Sequence, residues 1–122
     1  KRQGMSGDGE KTFRELNGDV SPYDPEQAKE YYDKAVEELK GKPVYFTLDL
    51  DILDPSVFPG TGTPEPGGIG YSELQEAVIK ICGGLNVVGC DIVELSPHYD
   101  QSGASTAIAC KILREMLLAL GK

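Results

Sequence analysis

Residues 44–51 read Val44-Tyr45-Phe46-Thr47-Leu48-Asp49-Leu50-Asp51, a β-prone run of branched, aromatic and apolar side chains that turns acidic only at its carboxyl end. Apolar groups on both faces predict a strand inside a sheet that is covered on both sides, the situation of parallel sheets. A second run at residues 86–95, from Asn86 through Val87, Val88, Ile92 and Val93 to Leu95, predicts another strand, with those four side chains buried and Glu94 near its carboxyl end.

Helical patterns flank both strands. Asp24-Pro25-Glu26-Gln27 combines an N-cap carboxylate, a proline at the first helical position and a glutamine at the third. Ala28, Tyr31, Tyr32, Ala35, Val36 and Leu39 follow at helical spacing, and Lys40-Gly41 supplies a stop. A second helix is expected to open at Ser72, with Gln75 completing a capping box, and to carry Leu74, Ala77, Val78, Ile81 and Cys82 on one stripe before Gly83-Gly84. A third runs over about residues 105–120, with Ala109, Ile112, Leu113, Met116, Leu117 and Leu120 inward and Gly121 beyond.

This order, helix, strand, helix, strand, helix, predicts an α/β fold with parallel strands joined by a right-handed crossover. Three helices cannot cover both faces and both edges of a two-stranded ribbon, so residues 1–122 read as part of one larger α/β domain. Residues 1–22, with Gly4, Gly7, Gly9 and Gly18 among charges, read as an irregular N-terminal segment apart from a short turn at residues 13–16.

Composition narrows the function classes. Twelve Lys+Arg against 20 Asp+Glu leave a net charge of −8, and no basic stripe is present to displace counterions, which excludes a nucleic-acid partner and suits a cationic or metal-bearing ligand. The longest apolar stretch, residues 116–120, is too short to span a bilayer, and Lys1-Arg2-Gln3 is not followed by a signal-peptide core. A cytoplasmic protein with no membrane partner is expected. Cys82, Cys90 and Cys110 are odd in number, lack metal-ligand spacing and sit among apolar residues, as reduced buried thiols do.

The chemistry gathers after the strands. Residues 54–71 form a long loop with Pro55, Pro59, Pro64 and Pro66 among five glycines, and it leaves the carboxyl end of a parallel strand, where ligands of open α/β sheets bind. Asp49 and Asp51, two residues apart on the strand, are expected to leave one face about 6 to 7 Å apart and to converge on one cation centre. Crowded, partly dehydrated carboxylates repel unless a cation or proton compensates, and oxygen donors favour hard divalent ions such as Mn²⁺ or Mg²⁺. Two readings stay open from the residues alone: a metal site, or strand-end carboxylates that are solvated or cap the loop. Asp54, before Pro55, is expected to hold the turn.

Glu94 is expected on the same rim, either pairing a cationic head group or bridging to a neighbouring loop. His98, the single histidine, is expected at the surface or in a hydrogen bond, with metal and acid–base roles as the minority reading. No Gly-x-Ser-x-Gly elbow is present, and Gly60-Thr61-Gly62-Thr63 lacks the lysine of a phosphate loop.

The string Thr47-Leu48-Asp49-Leu50-Asp51-Ile52-Leu53-Asp54-Pro55, followed by Phe58-Pro59-Gly60-Thr61-Gly62-Thr63-Pro64-Glu65-Pro66-Gly67-Gly68, closely resembles the ureohydrolases. The form with Gly60 looks most like agmatinases, since arginases usually carry alanine there. Residues 89–97 and the following Tyr99-Asp100 resemble the family's last strand and its loop. The resemblance implies the carboxyl-terminal portion of a three-layer α/β/α arginase-type fold with a parallel sheet. It further implies a binuclear manganese enzyme that hydrolyses a small cationic guanidino substrate, agmatine first, to urea and an amine, and that forms a homo-oligomer when intact.

Carried over by position, Asp49 would bridge two Mn²⁺ ions, Asp51 would bind one, Thr63 would stand beside the substrate pocket, and Glu94 would pair with the guanidinium. The ions would acidify a bridging water for attack on the guanidinium carbon. The family's histidine-bearing Gly-Gly-Asp-His and Asp-Ala-His-x-Asp segments do not occur here, so this chain is expected to supply only part of the ligands and to be inactive alone. His98 stands where many agmatinases carry proline. Rival expectations are another ureohydrolase, such as arginase, guanidinobutyrase or formimidoylglutamase, and a non-catalytic fragment that binds partners through its uncovered sheet.

Overall fold

A computed structural model describes residues 25–121. The irregular segment expected at residues 1–22 and the Asp24 N-cap lie outside the described residues. The elements are α1 (Pro25–Leu39), β1 (Pro43–Asp49), α2 (Tyr71–Gly84), β2 (Asn86–Val93) and α3 (Ala104–Leu120), with short 3₁₀ turns at Leu50–Ile52 and Pro97–Tyr99. β1 and β2 pair in parallel, from Pro43 opposite Asn86 to Asp49 opposite Val93, with one irregularity between Val44 and Tyr45. The α2 connection between them is the crossover that parallel pairing requires.

The core lies on one face of this ribbon. Leu48, Leu50, Leu53, Phe58, Leu74, Val78, Ile112 and Met116 form its buried centre, with Phe46, Cys90 and Ile92 packed against it. Phe58, Leu50, Leu53, Ile112 and Met116 are essentially inaccessible, and each such burial stabilises the fold by roughly 1.5–3 kcal/mol. The opposite face carries Tyr45, Thr47 and Asp49, all exposed. Burial on both faces is therefore not found among the described residues. Val88 and Val93, expected inside, are 66% and 40% exposed, because α2 and α3 supply one apolar layer for two faces.

The inward stripe of α3 is narrower than its sequence suggests. Ser105, Ala109, Ile112, Met116 and Ala119 are buried, at alternating steps of four and three residues, while Leu113 and Leu117 stay outside. Small residues at 109 and 119 let the helix lie close to its neighbours. In α1, Tyr32 and Val36 are half-buried whereas Tyr31, Ala35 and Leu39 are exposed. An ion pair between Lys80 and Asp33 links α1 to α2. Cys82 is buried as expected, and burial raises its thiol pKa, with a smaller contribution from Cys90. Cys90 is only half-buried and Cys110 is exposed, so the expectation of three buried thiols fails at the outer face of α3. Among the described residues no helix is long and apolar enough to cross a membrane.

The helix starts show how backbone donors are satisfied. α2 begins one residue before Ser72: the Glu73 carboxylate accepts the Gly70 N–H at 2.6 Å, and the expected Ser72–Gln75 box is not used. Ahead of α3, Asp100 accepts the Ser102 N–H at 3.0 Å, the Ser102 hydroxyl at 2.6 Å and the Ser105 N–H at 2.8 Å. These donors hold the Asp100 carboxyl well below the usual aspartate range.

The long loop after β1 is closed at its base. Leu53 and Ile69 form a parallel bridge, with the Asp54 N–H on the Ile69 carbonyl and the Ile69 N–H on the Ile52 carbonyl, both at 3.0 Å. Gly68 lies in this closure, and a Cβ there would stand 2.5 Å from the Asp54 nitrogen and 2.6 Å from the Ile52 oxygen. Asp54 fastens the two sides, accepting the Ser56 N–H and the Gly67 N–H at 2.9 Å each, as its place before Pro55 predicts. Hydrogen bonds from the Ser56 hydroxyl and amide, then from Gly67, lower its pKa from 3.8 to about 2.

Two expectations follow for stability measured by urea unfolding. Gly68→Ala destabilises by about 1–3 kcal/mol because rigid backbone must move. Gly62→Ala, with nothing within 4 Å of the added methyl, changes stability by no more than about 0.5 kcal/mol. The depressed Asp54 pKa means that its contribution is present above pH 3.8 and lost as pH falls towards about 2. Asp54→Asn accordingly lowers stability at neutral pH and flattens the acid limb of the unfolding midpoint in that window. An unchanged acid limb would remove Asp54 as the clasp of the loop.

Candidate functional site

The carboxyl ends of β1 and β2 form one rim. Because Asp49 sits opposite Val93, the chain leaves both strands at the same level, and Glu94 is the next residue of β2's exit. Asp49 is exposed on the face away from the core. Asp51 does not continue the strand. Leu50 and Leu53 are both buried, at 0% and 1% exposure, and a 3₁₀ turn places residues three apart on one side where a strand would not. The Leu53 N–H bonds the Leu50 carbonyl at 3.1 Å, Ile52 is turned outward, and Asp51 projects from the turn. The two aspartates thus share the rim, but not through the strand alternation expected for them.

The loop returns to this turn. Thr63 donates its hydroxyl hydrogen to Asp51 Oδ2 at 2.8 Å, so a residue twelve positions later fixes the orientation of that carboxylate. Thr63 is itself exposed. Its neighbour Thr61 is buried, and its Oγ1 has no hydrogen-bond partner among the described residues.

Glu94 is exposed and has φ = 69°, a left-handed backbone. This ends β2 at Val93, two residues short of the expected boundary, because an extended ladder cannot pass through that conformation. Two residues later the Ser96 N–H bonds the Gly60 carbonyl at 2.8 Å and joins the exits of the two strands. His98 lies in the following 3₁₀ turn, exposed, with its ring tilted against Tyr99 at a centroid distance of 4.1 Å. That position agrees with the surface role expected for it.

Behind the rim, on the exposed face, Asp91 accepts the Thr47 hydroxyl at 2.7 Å and the Tyr45 hydroxyl at 2.8 Å. The same two bonds lower the Asp91 pKa, Thr47 first, and the hydrogen bond to Asp91 raises that of Tyr45. Neither this cluster nor buried Ser105 stands out in the sequence. A polar residue on the apolar stripe of a helix, as Ser105 is, was the one available signal.

The rim offers hard carboxylate oxygens with one of them already oriented, which suits a divalent cation and a cationic substrate. Among the described residues no group of three or more His, Cys, Asp or Glu is arranged to hold a metal ion. Asp49 and Asp51 fit as part of a donor set rather than as a whole one.

The sequence profile of the arginase family matches residues 13–119. The chain is 51% identical over 86 residues to human mitochondrial guanidino acid hydrolase, which covers 70% of this chain and 24% of that protein. It is 50% identical over 82 residues to an agmatinase of Bacillus anthracis, which covers 66% of this chain and 28% of the relative. The chain therefore spans about a quarter of the length of these curated relatives. Among solved structures, arginase from Bacillus caldovelox superposes with a TM-score of 0.67 at 27% identity, over 97% of this chain and 41% of that one. The parallel ribbon with its helical layer is thus a portion of the arginase-type α/β fold, and the chain belongs to the arginase family.

Proposed function

We propose that this chain contributes the Asp49–Asp51 carboxylates and the Glu94 substrate contact of a manganese-dependent ureohydrolase whose remaining metal ligands come from residues outside this stretch. The observation that carries the reading is the parallel register, which sets Asp49 beside Val93 and so puts Asp49, Asp51 and Glu94 on one rim. In this reading Asp49 and Asp51 hold manganese. Bound manganese supplies the positive charge that acidifies water at neutral pH.

The remaining steps belong to protein side chains. Thr63, bonded to Asp51 Oδ2, restrains that carboxylate and leaves its other oxygen as the one that would bind a cation. Glu94 would accept charge-assisted hydrogen bonds from a guanidinium and hold that head group in one orientation at the rim. The left-handed backbone at Glu94 supports this role, since strain of that kind persists where a side chain must be aimed. The net charge of −8 favours approach of a cation.

Agmatine is the substrate this reading favours, with urea and putrescine as products, in a cytoplasmic enzyme. The high identity to a guanidino acid hydrolase favours a second reading, in which the same head group carries a carboxylate tail. The test joins residues 1–122 to the upstream region that its relatives possess and measures urea release with Mn²⁺ from agmatine, arginine, 4-guanidinobutyrate, shorter guanidino acids and formimidoylglutamate. Agmatine is expected to give the highest kcat/KM, and greater turnover of a guanidino acid would replace it.

Asp49→Ala and Asp51→Ala are expected to abolish turnover and metal uptake measured by calorimetry. Normal activity in either variant rejects the assigned metal roles. Thr63→Val is expected to weaken Mn²⁺ binding by about 10- to 100-fold, as loss of an outer-shell partner does. Glu94→Gln should raise KM by roughly tenfold or more, from loss of a charged hydrogen bond.

A further inference from the structure

We propose that Ser105 is a positioning residue that locks the two rim loops together through Gly60 and thereby sets where Thr63 and Glu94 stand; only its kinetic consequence rests on the ureohydrolase reading. Ser105 is fully buried in the first turn of α3. Its Oγ accepts the Gly60 N–H at 2.9 Å, and its own N–H is given to Asp100 Oδ2 at 2.8 Å. The Gly60 carbonyl in turn accepts the Ser96 N–H at 2.8 Å. One residue of the loop after β1 is therefore held by α3 on one side and by the exit of β2 on the other.

Both candidate groups hang from this knot. Three residues after Gly60, Thr63 orients Asp51. Two residues before Ser96, Glu94 adopts φ = 69°. The fit is also steric. A Cβ at position 60 would stand 2.7 Å from the Ser105 Cβ, 2.8 Å from its Oγ and 3.1 Å from the Asp100 Cβ, so glycine at 60 and serine at 105 are matched in volume as well as in hydrogen bonding. Removing the hydroxyl leaves a buried N–H without its acceptor, and adding a methyl pushes α3 off the loop.

The experiment uses the full-length protein and reads hydrogen exchange at the Ser96 amide, to which Ser105 makes no hydrogen bond. In Ser105→Ala that amide is expected to exchange about tenfold faster, with a similar rise in KM for the guanidino substrate. Gly60→Ala is expected to lower Tm more in the wild-type background than in Ser105→Gly, where the obstructing side chain is gone, so the two changes combine non-additively. Unchanged exchange at Ser96, or additive Tm losses, overturns the lock. Faster exchange and non-additivity without hydrolysis of any guanidino compound uphold the lock and remove the ureohydrolase reading. Wild-type KM in Ser105→Ala removes the positioning role while leaving the activity intact.

Discussion

Parallel pairing of β1 with β2 is the constraint on which the site depends. Parallel strands discharge their chains at the same end, so residues about 45 positions apart reach one rim without any direct attraction between their side chains. The ladder, the α2 crossover and the core beneath Leu48 and Ile92 fix the level at which Asp49 and Glu94 leave the sheet. The meeting of these residues is thus a consequence of register before it is a consequence of residue type.

The long loop after β1 is better described as a closed structure than as a tether. Its base is sealed by the Leu53–Ile69 bridge, its middle is anchored by Phe58 in the core, and Asp54 binds amides on both arms. Prolines reduce the freedom of the unfolded chain, so ordering the loop costs less entropy than its length suggests. Such a loop presents Thr63 to Asp51 at a fixed height, which a mobile segment would not.

Much of this was legible in the sequence, and the failures have physical reasons. The strand at β1 and the stripe of α2 are readable because side-chain pattern and backbone preference agree there. The sequence pattern carries the strand through Asp51 because Leu50 alternates with Leu48 when counted by twos. Only the joint burial of Leu50 and Leu53 reveals the turn. Ser72 looked like a cap by type, yet Glu73 reaches the Gly70 amide first. The exposed Leu113 and Leu117 of α3 fit an inward stripe by spacing, because pattern alone cannot count how many apolar layers a helix meets. Asp49 and Glu94 could be brought to one rim from topology. The Gly60–Ser105 and Thr63–Asp51 bonds could not, since hydrogen bonds between distant segments leave no local period.

Glu94 shows what such a site implies for engineering. An L-residue held in the left-handed region is destabilised by roughly 1–2 kcal/mol relative to glycine, and asparagine is also better tolerated there. A search for thermostable variants guided by backbone preference would select those replacements, and both delete the negative charge at the end of β2. Under the proposed function, robustness to heat and recognition of a cation pull this one position in opposite directions, and a library scored only on folding would discard the carboxylate that the proposal relies on.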